Sequence, residues 1–323
     1  MSPSGLSRPA ADSSRNPACV VFAYHELGYV CLQALIELGA PIAALFTHAD
    51  AADEEIWWHS CAQLARQHRV PVYVDVAMDQ GGVARLAEMA PAVIYSFNYR
   101  RLLPAAALAL APLGAFNLHL SKLPAYRGRV PVNWVLINGE QETGVTLHHM
   151  VARADAGDIV AQEAVVIDDS DTALDLYRKL IPRGAGLVRT YHPLIAAGRA
   201  PRYQQDLQAG SYFGRRTPED GKIDWRWPAR RIYNMVRALT HPYPGAFCMW
   251  GGRRLWLWRA AIGSEHGSLG PPGAILARNG DGTMEIAAGA GSVKLIRLQM
   301  AGQDEQEAAA VLAQPIAATA QLQ

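Results

Sequence analysis

Residues Ala18–His48 read ACVVFAYHELGYVCLQALIELGAPIAALFTH, and this stretch decides the fold. Ala18–His25 is a short apolar run suited to a buried strand, Leu27–Leu38 has helical spacing and stops at Gly39, and Pro41–His48 is a second apolar run. Strand, helix and strand in that order open a βαβ unit. Further strand-like runs at Val70–Asp75, Val93–Phe97 and Ala115–His119 alternate with helical stretches at Ile56–His68, Gly82–Ala90 and Ala105–Leu110. The alternation predicts an α/β fold with a Rossmann-like, doubly wound and mainly parallel sheet. The first turn, Tyr24-His25-Glu26-Leu27-Gly28, holds one glycine where a dinucleotide fingerprint holds three, so NAD is poorly supported as a ligand. Ligands of open α/β sheets gather outside the carboxyl ends of the strands, and His25, Phe97 and His119 fall at such ends.

The chemistry concentrates in Phe116–Gln162, FNLHLSKLPAYRGRVPVNWVLINGEQETGVTLHHMVARADAGDIVAQ. Alternation along Ala115–His119 puts Asn117 and His119 on one face of the strand. Asp155 follows in a small-residue loop, Ala-Asp-Ala-Gly, after the strand-like run Thr143–Met150, where a carboxylate can return to the imidazole. Such a trio suits acyl transfer to an amine. The amide donates to an oxygen that becomes an oxyanion, the imidazole moves the proton the amine loses, and a nearby carboxylate favours the ring's charged form. Ser121 lacks the G-x-S-x-G context of a nucleophile elbow, so direct attack is the simpler route. Asp158 competes with Asp155 for the carboxylate role on position alone. His148 and His149 point to opposite faces of a strand without helical zinc spacing and are expected to be structural, and Trp57-Trp58 is expected to be core or lid.

N-x-H followed by S-x-L-P, then Y-R-G-R-x-P, E-T-G-V-T and A-D-A-G-D-I resembles the formyltransferase family that uses N10-formyltetrahydrofolate. Within it the likeness is to the UDP-4-amino-4-deoxy-L-arabinose formyltransferases, and it extends through Val20–His25, Phe213–Asp220, Asn234–Ala238 and Pro242–Phe247. The resemblance implies formyl transfer to a UDP-amino sugar. It assigns Asn117, His119 and Asp155 to catalysis, and Arg101, Leu102, Leu103, Arg129 and Val151, Ala152, Arg153, Ala154 and Asp155 to the formyl-folate co-substrate. It assigns Arg215, Arg216, Asn234 and Arg237 to the nucleotide end. It also implies a place in lipid A modification and resistance to cationic peptides such as polymyxin. Leu120 and Lys122 depart from the family's H-[small]-S-L-L-P pattern and leave the acceptor sugar open. In the family the resemblance points to, the same trio serves methionyl-tRNA formyltransferase and formyltetrahydrofolate hydrolase, and the alternatives here are methionyl-tRNA formyltransferase or another nucleotide-amino-sugar N-formyltransferase. A non-catalytic nucleotide-sugar binder has no evident need for all three residues.

At 323 residues and 50% hydrophobic composition the chain can bury two cores, and a net charge of +1 offers no footprint for nonspecific nucleic-acid binding. The four cysteines are scattered without metal-type spacing, three of them lie in segments typical of buried thiols, and a reducing cytoplasm fits. No run approaches the roughly twenty apolar residues of a membrane span, and residues 1–17 lack a signal-peptide core. Residues 1–17 are expected to be a solvated tail, 18–200 the catalytic domain, 201–303 a linker and β-rich domain, which the resemblance implies is an open barrel, and 304–323 a terminal tail or a terminal helix. A helix from about Thr172 to Ala197 is expected to be interrupted or bounded by Pro182 and Pro193. No metal is called for, and self-association is left open.

Overall fold

The computed structural model describes residues 17–52, 54–312 and 322–323. In chain order the first elements are β1 (Cys19–Ala23), α1 (His25–Glu37), β2 (Ile42–Thr47), α2 (Cys61–Gln67), β3 (Val72–Val74), α3 (Gln80–Glu88), β4 (Val93–Phe97), α4 (Ala105–Leu108) and β5 (Ala115–His119). Then come β6 (Arg127–Gly128), α5 (Pro131–Ile137), β7 (Glu142–His149), β8 (Ile159–Val166), α6 (Ala173–Ala196) and β9 (Tyr212–Phe213). The remainder is a short 3-10 turn (Pro218–Gly221), α7 (Ala229–Leu239), β10 (Ala246–Trp250), β11 (Arg253–Ser264), β12 (Ile275–Arg278), β13 (Met284–Ala287), β14 (Ser292–Met300), β15 (Gln306–Glu307) and α8 (Ala308–Leu312).

Seven strands form the expected mainly parallel sheet, in the order β3-β2-β1-β4-β5-β7-β8. Strands β1 to β5 pair in parallel, whereas β7 and β8 pair antiparallel. Reversal of strand order beside β1 makes the switch point at which open α/β sheets take ligands. By internal contacts the chain divides into two compact units. One comprises the residues described up to Leu118 with His149–Ala152 and Ala185–Arg202, and the other comprises His119–His148, Arg153–Gly184 and the residues from Tyr203 onward. The core of the first is built from inward-facing strand residues such as Val20, Phe22, Phe46 and Ile94, closed by Leu86 of α3. Apolar burial at these positions is what fixes the parallel strands in register.

In the second unit, β10 to β15 make a six-stranded antiparallel sheet, with α7 against β11. Register shifts between β11 and β14 mark bulges, which bend a sheet in the way the expected open barrel requires.

Two expectations need correction. The helix read over Ile56–His68 begins only at Cys61, where Ser60 caps it by accepting from the Gln63 N–H at 3.2 Å. Trp57 and Trp58 leave helical geometry because their rings pack on His25, Trp58 stacked at 4.0 Å and Trp57 edge-on at 4.6 Å. Helix α6 runs unbroken through Pro182 and Pro193, because buried residues along it, such as Leu176, Leu180, Val188 and Ile195, outweigh the missing N–H groups. Within the stretch expected to be a terminal tail or a terminal helix, Gln306–Glu307 form β15 and Ala308–Leu312 form α8, and Gln323 exchanges backbone hydrogen bonds with Met249 at 2.7 and 3.0 Å. Buried Val311, Leu312 and Leu322 supply the apolar surface that draws it in. Residues 1–16 of the expected leading tail, and residues 313–321, lie outside the described residues.

All four cysteines are free and buried, and burial pushes the thiols of Cys19, Cys61 and Cys248 up to about 12. Among the described residues no helix is long and apolar enough to cross a membrane.

Candidate active site

Strand β5 carries Asn117 and ends on His119, so the pleat turns both side chains to one face. The loop that follows is tied down by its neighbours. Ser121 donates from Oγ to the Ala125 carbonyl at 2.7 Å, and Thr146 of β7 donates to the Ser121 carbonyl at 2.6 Å while accepting from the Leu123 N–H at 3.2 Å. Gln162 of β8 adds donations to the Leu123 carbonyl and to Thr146 Oγ1, at 2.7 and 2.9 Å. The serine hydroxyl is thereby spent on the loop, as expected of a residue that is not a nucleophile.

The loop brings its far end back to the histidine. His119 Nε2 donates to the Tyr126 carbonyl at 2.8 Å, and Nδ1 lies 3.6 Å from Asp155 Oδ1. The same oxygen lies 3.4 Å from His148 Nε2, and Oδ2 accepts from the Gly128 N–H at 2.9 Å. Asp155 stands in the left-handed region at φ 51°, which small Ala-Asp-Ala-Gly neighbours tolerate. Gln205 holds that turn by donating to the Asp155 and Gly157 carbonyls at 3.1 and 2.5 Å. Burial pushes the Asp155 carboxyl up, but His119, His148 and the Gly128 N–H together outweigh it and hold the group well below the usual carboxylate range. A buried carboxylate therefore stays ionised between two imidazoles.

The other expected site residues divide into presented and engaged groups. Leu102 is 71% exposed, Val151 46%, and Ala152, Arg153 and Arg129 are exposed as well. Leu103 instead sits in the core beside β1, and Arg101 pairs with Asp75 at 3.5 Å. Arg215 is exposed, while Arg216 lies over the Trp134 ring at 4.6 Å and donates to the Asp220 carbonyl at 2.6 Å. Asn234 and Arg237 are 3% and 7% exposed. Arg237 donates from Nε to Asn234 Oδ1 at 2.9 Å and from Nη1 to the Asp168 and Asp171 carbonyls at 3.1 and 3.3 Å, so both residues fasten α7 to the turn before α6. The two departures from the motif are also placed. Leu120 is buried and Lys122 pairs with Glu142 of β7 at the surface.

Sequence reasoning missed His148, Tyr126 and Arg127. Alternation along β7 puts His148 on the face of Thr146, which already grips the loop after His119, and puts His149 on the other. His149 accordingly donates from Nε2 to the Pro201 carbonyl at 3.0 Å and packs on Phe116 at 4.7 Å. Arg127 is 3% exposed, and its Nε and Nη1 find no acceptor among the described residues. Buried polar groups are normally satisfied, so these two donors stand out among the described residues.

Two family models match this chain: one described as Formyl transferase over residues 47–188, the other as Formyl transferase, C-terminal domain, over residues 215–315. Among solved structures, WlaRD, a sugar 3N-formyl transferase crystallised with dTDP and 5-N-formyl-THF, is similar at TM-score 0.68 and 19% identity, covering 90% of this chain and 100% of that one. The N-formyltransferase from Helicobacter canadensis, in complex with folinic acid and dTDP-3-aminofucose, matches with the same score and identity, over 88% of this chain and 100% of that one. HypX from Aquifex aeolicus, in complex with tetrahydrofolic acid, matches at TM-score 0.62 and 19% identity over 92% of this chain. This chain spans 47% of the length of that protein. With matches to both the N-terminal and the C-terminal model, which together cover most of its length, the chain belongs to the formyl transferase family.

Proposed function

We propose that this protein transfers a formyl group from N10-formyltetrahydrofolate to the amino group of a nucleotide-linked sugar, with UDP-4-amino-4-deoxy-L-arabinose as the acceptor. The observation that carries the reading is the ionised Asp155 facing His119, two residues after Asn117 on β5. The neighbours' folate and dTDP-sugar ligands support the same co-substrate and the same class of acceptor. The exposed apolar side chains of Leu102 and Val151 suit a flat heterocycle, and exposed Arg129 and Arg153 suit the carboxylates of the folate's glutamate tail. When bound, the folate supplies the activated formyl carbon. With Nε2–H held by the Tyr126 carbonyl, Nδ1 of His119 is the position that accepts the proton the attacking amine loses and returns one to the departing nitrogen. Asn117 donates its amide N–H to the carbonyl oxygen as charge develops there. Asp155, 3.6 Å from Nδ1, orients the His119 ring.

Exposed Arg215 is the group that meets the nucleotide phosphates, with Arg216 beside it. Arg237 acts there by holding the packing beneath rather than by contact, since its Nε donates to Asn234 Oδ1 and its Nη1 to the Asp168 and Asp171 carbonyls. The four buried free cysteines support a reducing compartment, the cytoplasm. An arabinose acceptor ties the reaction to lipid A modification and polymyxin resistance.

The test is product analysis after mixing the protein with formyl-folate and a panel of UDP- and dTDP-linked amino sugars and initiator tRNA. Formylation of the UDP-arabinose amine is expected. Formylation confined to a dTDP sugar overturns the acceptor, and formylation confined to tRNA overturns the substrate class.

A further inference from the structure

Tyr126 is held at every polar atom. Its N–H donates to Ser211 Oγ at 2.8 Å, its carbonyl accepts from His119 Nε2 at 2.8 Å, and its hydroxyl donates to Glu140 at 2.6 Å and accepts from Asn138 at 3.1 Å. Burial first, and Glu140 next, push that hydroxyl up to about 12, which keeps it a donor. The backbone here is at φ 58°, a conformation that a tyrosine adopts only under constraint.

The constraint comes from the linker. Strand β6 pairs in parallel with β9, the Arg127 N–H donating to the Ser211 carbonyl at 3.0 Å and the Arg129 N–H to the Phe213 carbonyl at 2.9 Å. A Cβ on Gly128 would stand 2.1 Å from the Phe213 carbonyl oxygen, so the close approach needs glycine. The Phe213 ring stacks on Tyr126 with centroids 4.9 Å apart and planes 9° apart, and Trp134 backs it at 4.8 Å. A face-to-face aromatic contact of this kind adds direction as well as apolar burial.

The consequence reaches His119. Both ring nitrogens meet acceptors, Tyr126 on one side and Asp155 on the other, so the orientation of the ring depends on where the Tyr126 carbonyl stands. We propose that Phe213 is a positioning residue for His119, its ring setting the place of Tyr126 and the Tyr126 carbonyl setting the imidazole. The inference rests on the reading of His119 as the proton-transfer group. It adds that a linker residue some ninety positions along the chain governs how that group is aimed.

The experiment compares the full chain with Phe213→Ala, Phe213→Leu and Phe213→Tyr, using formyl-folate and UDP-4-amino-4-deoxy-L-arabinose. Phe213→Ala is expected to lower kcat by about 10- to 100-fold with KM for formyl-folate within about twofold, because misplacing a proton-transfer group costs rate rather than binding. Phe213→Tyr keeps the stacking face and restores kcat, whereas Phe213→Leu keeps the bulk without the face and does not. Ring nitrogen NMR gives a readout independent of turnover. The His119 Nε2–H signal, protected from exchange by its bond to Tyr126, persists in the wild type and Phe213→Tyr and is lost to fast exchange in Phe213→Leu. A folded Phe213→Leu with wild-type kcat and a protected signal overturns the proposal, as does a loss of rate that merely follows the folded fraction. His119→Gln separates the two readings. Retained transfer there removes the role assigned to His119, while the NMR comparison still decides whether Phe213 holds the ring.

Discussion

His25 and His119 both stand where a parallel strand of the sheet ends, one opening α1 after β1 and the other closing β5. Their surroundings are opposite. His25 is packed among rings, with Trp58 stacked on it, Trp57 edge-on and Tyr24 at 6.3 Å. Burial, with Arg100 adding to it, pushes that imidazole down to about 4. His119 instead meets a carboxylate and a carbonyl, and the carboxylate is shared with His148. Rings around a histidine hold it neutral, whereas acceptors around it give a proton somewhere to be held and moved. A histidine at a strand end is thus not functional by position alone.

Replacing His119 gives the sharpest break in this comparison. His119→Gln is expected to cut formyl transfer by about a thousandfold or more, while His25→Phe should leave transfer within about tenfold of the wild type, as measured by kcat on the arabinose acceptor. Equal losses in the two variants would erase the distinction between the sites.

The next largest effect lies at Asp155. Asp155→Asn is expected to lower transfer by roughly 100-fold, since the ring loses the charge that orients it. The carboxyl is held below its ordinary value of about 3.9, so its contribution to stability is complete above that pH and is lost as the pH falls below it. Urea unfolding of wild type and Asp155→Asn should therefore differ at pH 6 and converge in acid. A gap that widens in acid contradicts the assigned direction.

His25 has a different pH window. Its folded value of about 4 lies below the unfolded value of about 6.5, so folding favours the neutral ring. The resulting stability is full above about pH 6.5 and falls as the pH drops from there towards 4, by roughly 3 kcal/mol in all. His25→Phe should flatten that part of the urea-midpoint curve, and an unchanged slope would remove His25 from the account. The smallest effect is expected at Lys122, which only pairs with Glu142 across an exposed surface. Lys122→Ala should cost less than about 1 kcal/mol and leave the acceptor preference unaltered in the product panel.

Much of the site was legible because its signals are local. Alternation over five residues aligns Asn117 with His119 on β5, and the small residues around Asp155 announce a turn that the structure makes at φ 51°. The misses involve partners distant in the chain. His148 was correctly set on the face opposite His149, but nothing within β7 says which face receives Asp155. Arg237 carries the chemistry of a phosphate site, yet its Nε is engaged by Asn234 Oδ1 and its Nη1 by carbonyls sixty-odd positions earlier. Trp57 and Trp58 fit a helix by pattern and are pulled out of it by His25.

By itself, then, the sequence determined the alternating strand and helix pattern, the facing of Asn117 with His119 and the turn at Asp155, because backbone geometry and side-chain spacing act over a few residues. Only the tertiary structure decided that His148 shares the carboxylate, that Tyr126 caps the imidazole, and that Phe213 of the linker stacks on Tyr126. Those contacts depend on which strand pairs with which and on what burial leaves unsatisfied, and both are settled by the packing of segments far apart in the chain.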